Sequence, residues 1–182
     1  AVAVTPVVAV FRLMAFASNL ALFVLAPVVM KVPLTVVDHL RRAEQVYGHR
    51  TAFIDEPDQP AESWGSLTYN EMARRARAQA AGLDALGIPQ GARVAIVSHN
   101  SARLLTAFFG VSGYGRVLVP INFRLVAEEV AYIISHCGAE VLLVDPELEE
   151  ALSGVFCKHK FVIGAESDKV LYKFDVEPIA WI

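Results

Sequence analysis

Four short apolar runs set the limits on how this chain can fold: Arg93-Val94-Ala95-Ile96-Val97-Ser98, Val117 to Ile121, Val141 to Val144, and Phe161-Val162-Ile163. They recur at intervals of about 20 to 24 residues, and a helical pattern fills the gaps. None alternates strictly between apolar and polar residues, so each reads as a strand covered on both faces. Parallel strands need crossovers of a dozen or more residues, which the gaps supply. The prediction is an α/β fold, a parallel βαβ sheet with flanking helices and right-handed connections.

Helix-end signals fill in the rest. Thr35 with Asp38 three residues on predicts a helix from Thr35 to Tyr47, with Val37, Leu40 and Ala43 on one face and Gly48 as a left-handed stop. Thr51 to Asp55 reads as a short strand, residues 56–63 as a polar, proline-punctuated loop, and Trp64 to Leu67 as the returning arm of a hairpin. Thr68 and Glu71 make a second capping box. The helix that follows buries Met72, Ala76, Ala80 and Leu83, turns Arg74, Arg75 and Arg77 outward to solvent, and ends at Gly87-Ile88-Pro89. Asn100 or Ser101 caps a third helix, with Leu104, Leu105, Phe108 and Phe109 assigned inward. A fourth runs from Ala127 to Cys137, with Glu128 and Glu129 in its first turn, Val130, Ile133, Ile134 and Cys137 on one face and Gly138 behind.

With 182 residues the chain can hold one domain with a real core. Its 16 Lys+Arg against 19 Asp+Glu give a net charge of -3 with no block of like charges, which argues against nucleic acid as a partner. Hydrophobic residues make up 55%, and much of that excess lies in residues 1–30. Leu13 to Met30 carries no charge and would span about 27 Å as a helix, near the lower limit for crossing a bilayer. Residues 1–30 are therefore expected to be an apolar, dispensable extension, a membrane helix, or a helix docked to the protein. Residues 31–182 form the globular part, expected in the cytoplasm with or without membrane association.

Two cysteines, Cys137 and Cys157, give no disulfide framework and suit a reducing compartment. A zinc site from His136, Cys137, Cys157 and His159 is disfavoured, because adjacent His136 and Cys137 point about 100° apart at a helix end. Gly110-Val111-Ser112-Gly113-Tyr114-Gly115 follows a helix and enters a strand, the reverse of a phosphate-binding turn, so it reads as a helix stop with a tight turn. Ser98-His99-Asn100 lies at the carboxyl end of a strand, where α/β proteins place ligands. No Gly-x-Ser-x-Gly elbow supports a hydrolase serine there, and Asn100 is assigned as a helix cap.

Several segments then resemble one family in order and spacing. They are Leu67-Thr68-Tyr69-Asn70-Glu71-Met72, Gly87-Ile88-Pro89-Gln90-Gly91-Ala92-Arg93-Val94-Ala95-Ile96, Asn100-Ser101, and Val119-Pro120-Ile121-Asn122-Phe123-Arg124-Leu125. Together they look like the opening third of the AMP-forming acyl-CoA synthetases, of the adenylate-forming superfamily. The resemblance is clear from about Val32 to Asp145 and fades toward Ile182.

What the resemblance implies is a ligase that joins a carboxylate to ATP, giving an acyl-adenylate, and then passes the acyl group to CoA. ATP, Mg²⁺ and CoA would serve the full enzyme, and no cofactor is expected for this portion alone. The family's Ser/Thr/Gly-rich loop with Pro-Lys-Gly and its later lysine have no counterpart in these 182 residues. No catalytic or metal-binding residue is therefore assigned. By family analogy Asn122, Phe123 and Arg124 lie near the path by which CoA approaches. The expectation is an N-terminal fragment of a synthetase, inactive alone and prone to self-association, whose partners are the remainder of the enzyme and a carboxylic acid substrate. A non-catalytic α/β binding or interaction module, membrane-tethered or not, is the alternative.

Overall fold

The computed structural model describes residues 34–173, and the expectations for residues 1–30 lie outside them. Among the described residues no helix is long and apolar enough to cross a membrane. Helix α1 (Val36–Tyr47) starts at Thr35, whose N–H donates to Asp38 Oδ2 at 2.8 Å. Strands β1 (Thr51–Ile54) and β2 (Ser66–Thr68) pair as an antiparallel hairpin. Helix α2 (Tyr69–Ala85) follows, opened by the capping box of Thr68 and Glu71.

The four apolar runs form one parallel sheet, as the periodicity predicts. Its strands are β3 (Arg93–Val97), β4 (Val117–Ile121), β5 (Ala139–Val144) and β6 (His159–Val162), in the order β4-β3-β5-β6. Three helices alternate with them: α3 (Ala102–Gly110), α4 (Ala127–Cys137) and, after β6, α5 (Ala165–Leu171). Because side chains alternate across a strand, one face of the sheet presents Val94, Ile96, Val141 and Leu143. These pack with Leu83 and Ile88 at the end of α2, Ala107 and Val111 of the α3 segment, and Ile163 and Leu171. The other face presents Ala95, Val97, Leu142 and Val144, covered by Val130 and Ile134 of α4 and by Leu152 and Val155. Both faces are buried, which is why these strands show no polar alternation.

Several local expectations are corrected by packing. Gly48 ends α1 in the right-handed helical region, at φ −46° and ψ −39°, so it is not a left-handed stop. It is confined by space, since a Cβ there would collide with the Asn70 side chain and the Glu44 carbonyl. Gly138, at φ 63°, does provide the left-handed stop expected behind α4. Arg75 and Arg77 are half-buried rather than solvated. Arg77 makes a bidentate pair with Glu44, both bonds at 2.9 Å, which ties α2 to α1.

Leu105 and Phe108 do not pack inward. They are 40% and 43% exposed, and α3 instead buries Ala102, Arg103, Thr106, Ala107 and Gly110. Small residues win that face because α3 lies close against α2, where a Cβ on Gly110 would meet Gln79.

Helices α2 and α5 pack closely at Gly82, where a Cβ would sit 2.6 Å from Leu171 Cα and 2.7 Å from its carbonyl oxygen. Alanine favours a helix over glycine by about 1 kcal/mol, but here backbone must move to admit it. Gly82→Ala is therefore expected to destabilise by about 1–3 kcal/mol, read as a lower midpoint in urea unfolding.

The two capping boxes should respond to acid. Bonds from the Thr68 backbone N–H and hydroxyl, each 2.8 Å, hold the Glu71 carboxyl below its ordinary 4.5, and Thr35 likewise holds Asp38 below 3.8. A lowered folded pKa gives stabilisation that is present above the unfolded value and is lost as pH falls through the folded one. The first turns of α1 and α2 are expected to fray below about pH 4, ahead of the sheet, as faster amide exchange at Asp38 and Glu71.

Candidate functional site

In this sheet the chain leaves β3 toward one side, to β4, and leaves β5 toward the other, to β6. The carboxyl ends of β3 and β5 thus flank a topological switch point, the place where open α/β sheets form a crevice. Three segments meet at this end of the sheet: Ser98-His99 after β3, Asn122-Phe123-Arg124 after β4, and Asp145 with Glu147 after β5.

Asp145 is buried and organises the junction. Its carboxylate accepts from Ser98 Oγ at 3.2 Å, from the His99 N–H at 3.3 Å and from the Glu147 N–H at 3.2 Å. The last of these bonds caps a 3₁₀ turn over Pro146–Leu148. His99 Nε2 lies 3.0 Å from Glu147 Oε2, and the His99 ring packs on Phe123 with centroids 4.0 Å apart at 38°. The Arg124 guanidinium lies over the same Phe123 ring, 5.1 Å from its centroid. Asn122 Oδ1 accepts from the Arg124 N–H at 3.0 Å and holds the loop in a turn. The three residues singled out by family analogy therefore share a loop beside the switch point, with Asn122 and Arg124 exposed and Phe123 half-buried.

Ser98 Oγ donates to the His99 carbonyl at 2.8 Å and to Asp145 at 3.2 Å, so its hydroxyl is engaged by backbone and carboxylate rather than by a histidine ring. Asn100 is not the cap of α3. Ser101 is, its Oγ accepting from the Leu104 N–H at 3.2 Å, while Asn100 is exposed at the mouth of a groove of about 400 Å³. Phe53, Ile54, Leu105 and Phe108 line that groove. Asp55 also lines it, and its Oδ1 accepts from the first amide of α3, Ala102 N–H, at 2.8 Å.

The Gly110–Gly115 turn is a helix stop, as its context predicts. The Tyr114 and Arg116 N–H groups donate back to the Val111 carbonyl, and Gly115 is left-handed at φ 82°. Amides committed inward do not cradle phosphates, so these residues do not fit the ATP triphosphate. Cys137 Sγ and Cys157 Sγ each lie against a backbone carbonyl, of Ile134 and Ala139 respectively.

A second polar cluster was not visible in the sequence. Trp64 carries two guanidinium groups over its ring, Arg75 at 3.9 Å from its centroid and Arg103 at 4.5 Å, with Tyr172 edge-on at 5.0 Å. Arg103 makes a bidentate pair with Asp168, at 3.0 and 2.7 Å, and donates to the Glu62 carbonyl at 2.7 Å. Burial lowers the Arg75 guanidinium and raises the Tyr172 hydroxyl relative to their ordinary values. The cluster joins the hairpin loop, α2, α3 and α5; Arg103 is engaged by ring, carboxylate and carbonyl, whereas Arg75 lies over the ring with its buried Nε unpaired.

Residues 40–177 match the model of the AMP-binding enzyme family. A long-chain-fatty-acid–CoA ligase from Thermus thermophilus is 48% identical over 81 residues, 44% of this chain and 15% of the relative. 4-Hydroxybutyrate–CoA ligase 2 from Metallosphaera sedula is 34% identical over 112 residues, 62% of this chain and 19% of the relative. Among solved structures, the N-terminal domain of FACL13 from Mycobacterium tuberculosis superposes with a TM-score of 0.71 at 28% identity, over 82% of this chain and 39% of that one. The anthranilate CoA ligase AuaEII in complex with anthranoyl-AMP gives 0.71 at 26% identity, over 82% and 30%.

The chain belongs to the AMP-binding enzyme family. Its matches are to CoA ligases and to the N-terminal domain of one of them, and they span less than a fifth of the length of these curated relatives.

Proposed function

We propose that these residues are the opening part of an ATP-dependent acyl-CoA synthetase and have no ligase activity by themselves. The observation that carries the proposal is the family match over residues 40–177, to relatives that are CoA ligases. Adenylate formation needs donors and Mg²⁺ to neutralise phosphate charge and a lysine for the developing anion. The family's phosphate loop and lysine motifs are not among these 182 residues. The remainder of such an enzyme, in the same chain or another, would supply them.

Within this proposal residues 31–182 are a partial AMP-binding domain, and residues 1–30 an apolar extension or membrane segment. Asn122, Phe123 and Arg124 border the path of CoA. Arg124 is an exposed cation suited to the cofactor's phosphates, and no acidic partner faces it among the described residues. The substrate would be a carboxylic acid. Surfaces such as Ile54, 78% exposed, together with Leu105 and Phe108, would be covered in the whole enzyme. Alone, the chain should bind a hydrophobic dye and associate with itself.

The test is carboxylate-dependent exchange between pyrophosphate and ATP. The purified chain is expected to show none with fatty or aromatic acids, and exchange above background would overturn the proposal.

A further inference from the structure

We infer that His99 is a positioning residue that fixes the loop Asn122–Arg124 through a relay from Glu147. The inference rests on the proposed role of that loop on the path of CoA. The switch point brings together segments that are distant in the chain, and a run of contacts leads from the turn after β5 through His99 to the loop after β4. Asp145 accepts from the His99 backbone N–H at 3.3 Å, Glu147 Oε2 lies 3.0 Å from the imidazole Nε2, and the imidazole packs on Phe123 at 4.0 Å between centroids. Phe123 in turn carries the Arg124 guanidinium at 5.1 Å.

The arrangement sets the direction of an exposed cation. An arginine side chain free in solvent samples many rotamers, and holding it in one geometry costs entropy at the moment of binding. Placing it over a ring that His99 also contacts settles part of that cost in advance. His99 touches no reacting group, so its effect on a ligand passes through Phe123 and Arg124.

The Arg124–Leu125 peptide bond provides a direct readout, because trypsin cuts after arginine only when the loop opens locally. In the full chain, His99→Ala removes the ring contact and is expected to speed cleavage at this bond by about two- to tenfold. Cleavage after Arg41 in α1 serves as the internal reference. His99→Phe keeps a ring against Phe123 and should restore most of the protection. Glu147→Ala should speed cleavage by a smaller factor in the wild-type background and add nothing to His99→Ala, since both act through one contact.

A rate at Arg124 that His99→Ala leaves unchanged relative to Arg41 overturns the inference, as does full additivity with Glu147→Ala. The CoA reading fails separately. In an active enzyme containing this segment, His99→Ala should raise KM for CoA with kcat and the carboxylate KM little changed. If trypsin shows the loop released and KM for CoA does not move, His99 positions the loop and the loop is not on the path of CoA.

Discussion

Arg116→Ala is expected to cost about 3–5 kcal/mol, the size typical of breaking a buried pair from one side. The Arg116 side chain has no exposed surface. Its Nη2 donates to Asp84 Oδ1 and to the Ile88 carbonyl, both at 2.6 Å, and its Nε donates to the same carbonyl at 3.1 Å. Truncation takes these donors from a carboxylate whose side chain is only 10% exposed and from the carbonyl that ends the α2 segment. It also opens a cavity the size of the guanidinium stem. Folded domains hold only about 5–15 kcal/mol in reserve, so the midpoint in thermal unfolding should fall by roughly 10 °C or more. Lysine should recover little, because a single ammonium cannot reproduce the forked contacts. A midpoint within a few degrees of the parent would show that the pair contributes nothing net.

Asp55→Ala is expected to follow closely, at about 3 kcal/mol, and to act on a different part of the molecule. This buried carboxylate receives three donors: Ala102 N–H at 2.8 Å, Trp64 N–H at 3.0 Å and Gln59 Nε2 at 2.7 Å. Its negative charge also lies at the positive end of α3. Alanine leaves the two backbone donors unpaired in a poorly hydrated place, releasing both the hairpin loop and the first turn of α3. Asp55→Asn keeps an acceptor but loses the charge, so it should cost less than half as much. Hydrogen exchange at Ala102 and Trp64 checks this locally. Protection there that survives in the alanine variant would contradict the assignment.

Elements whose formation depends on neighbours in sequence were legible before the fold was known. The capping pair Thr68 and Glu71 stands three residues apart because one turn of helix brings their bonds together, and it appears in the structure as expected. Gly138 could be assigned from its place after a helical stripe. The resemblance of Leu67–Met72 and Val119–Leu125 to one family likewise survives in the fold match. Leu105 and Phe108 show the opposite case. Helical periodicity in α3 offers apolar residues on more than one face, and the choice fell to the small residues that allow α2 to approach.

The candidate site divides in the same way. Ser98-His99-Asn100 and Asn122-Phe123-Arg124 could be placed at strand ends from the sequence, and their neighbourhood to each other could not. The bond from Ser98 to Asp145 spans 47 residues, and the same separation joins Ala102 to Asp55. By itself the sequence determined the α/β class, the four parallel strands, most helix ends and the family, because period, caps and motif order are local. The tertiary structure decided that β5 lies beside β3 rather than β4, and thereby brought Asp145 and Glu147 to His99. Strand order depends on which apolar faces fit together after long loops close, and no local pattern of side chains carries that information.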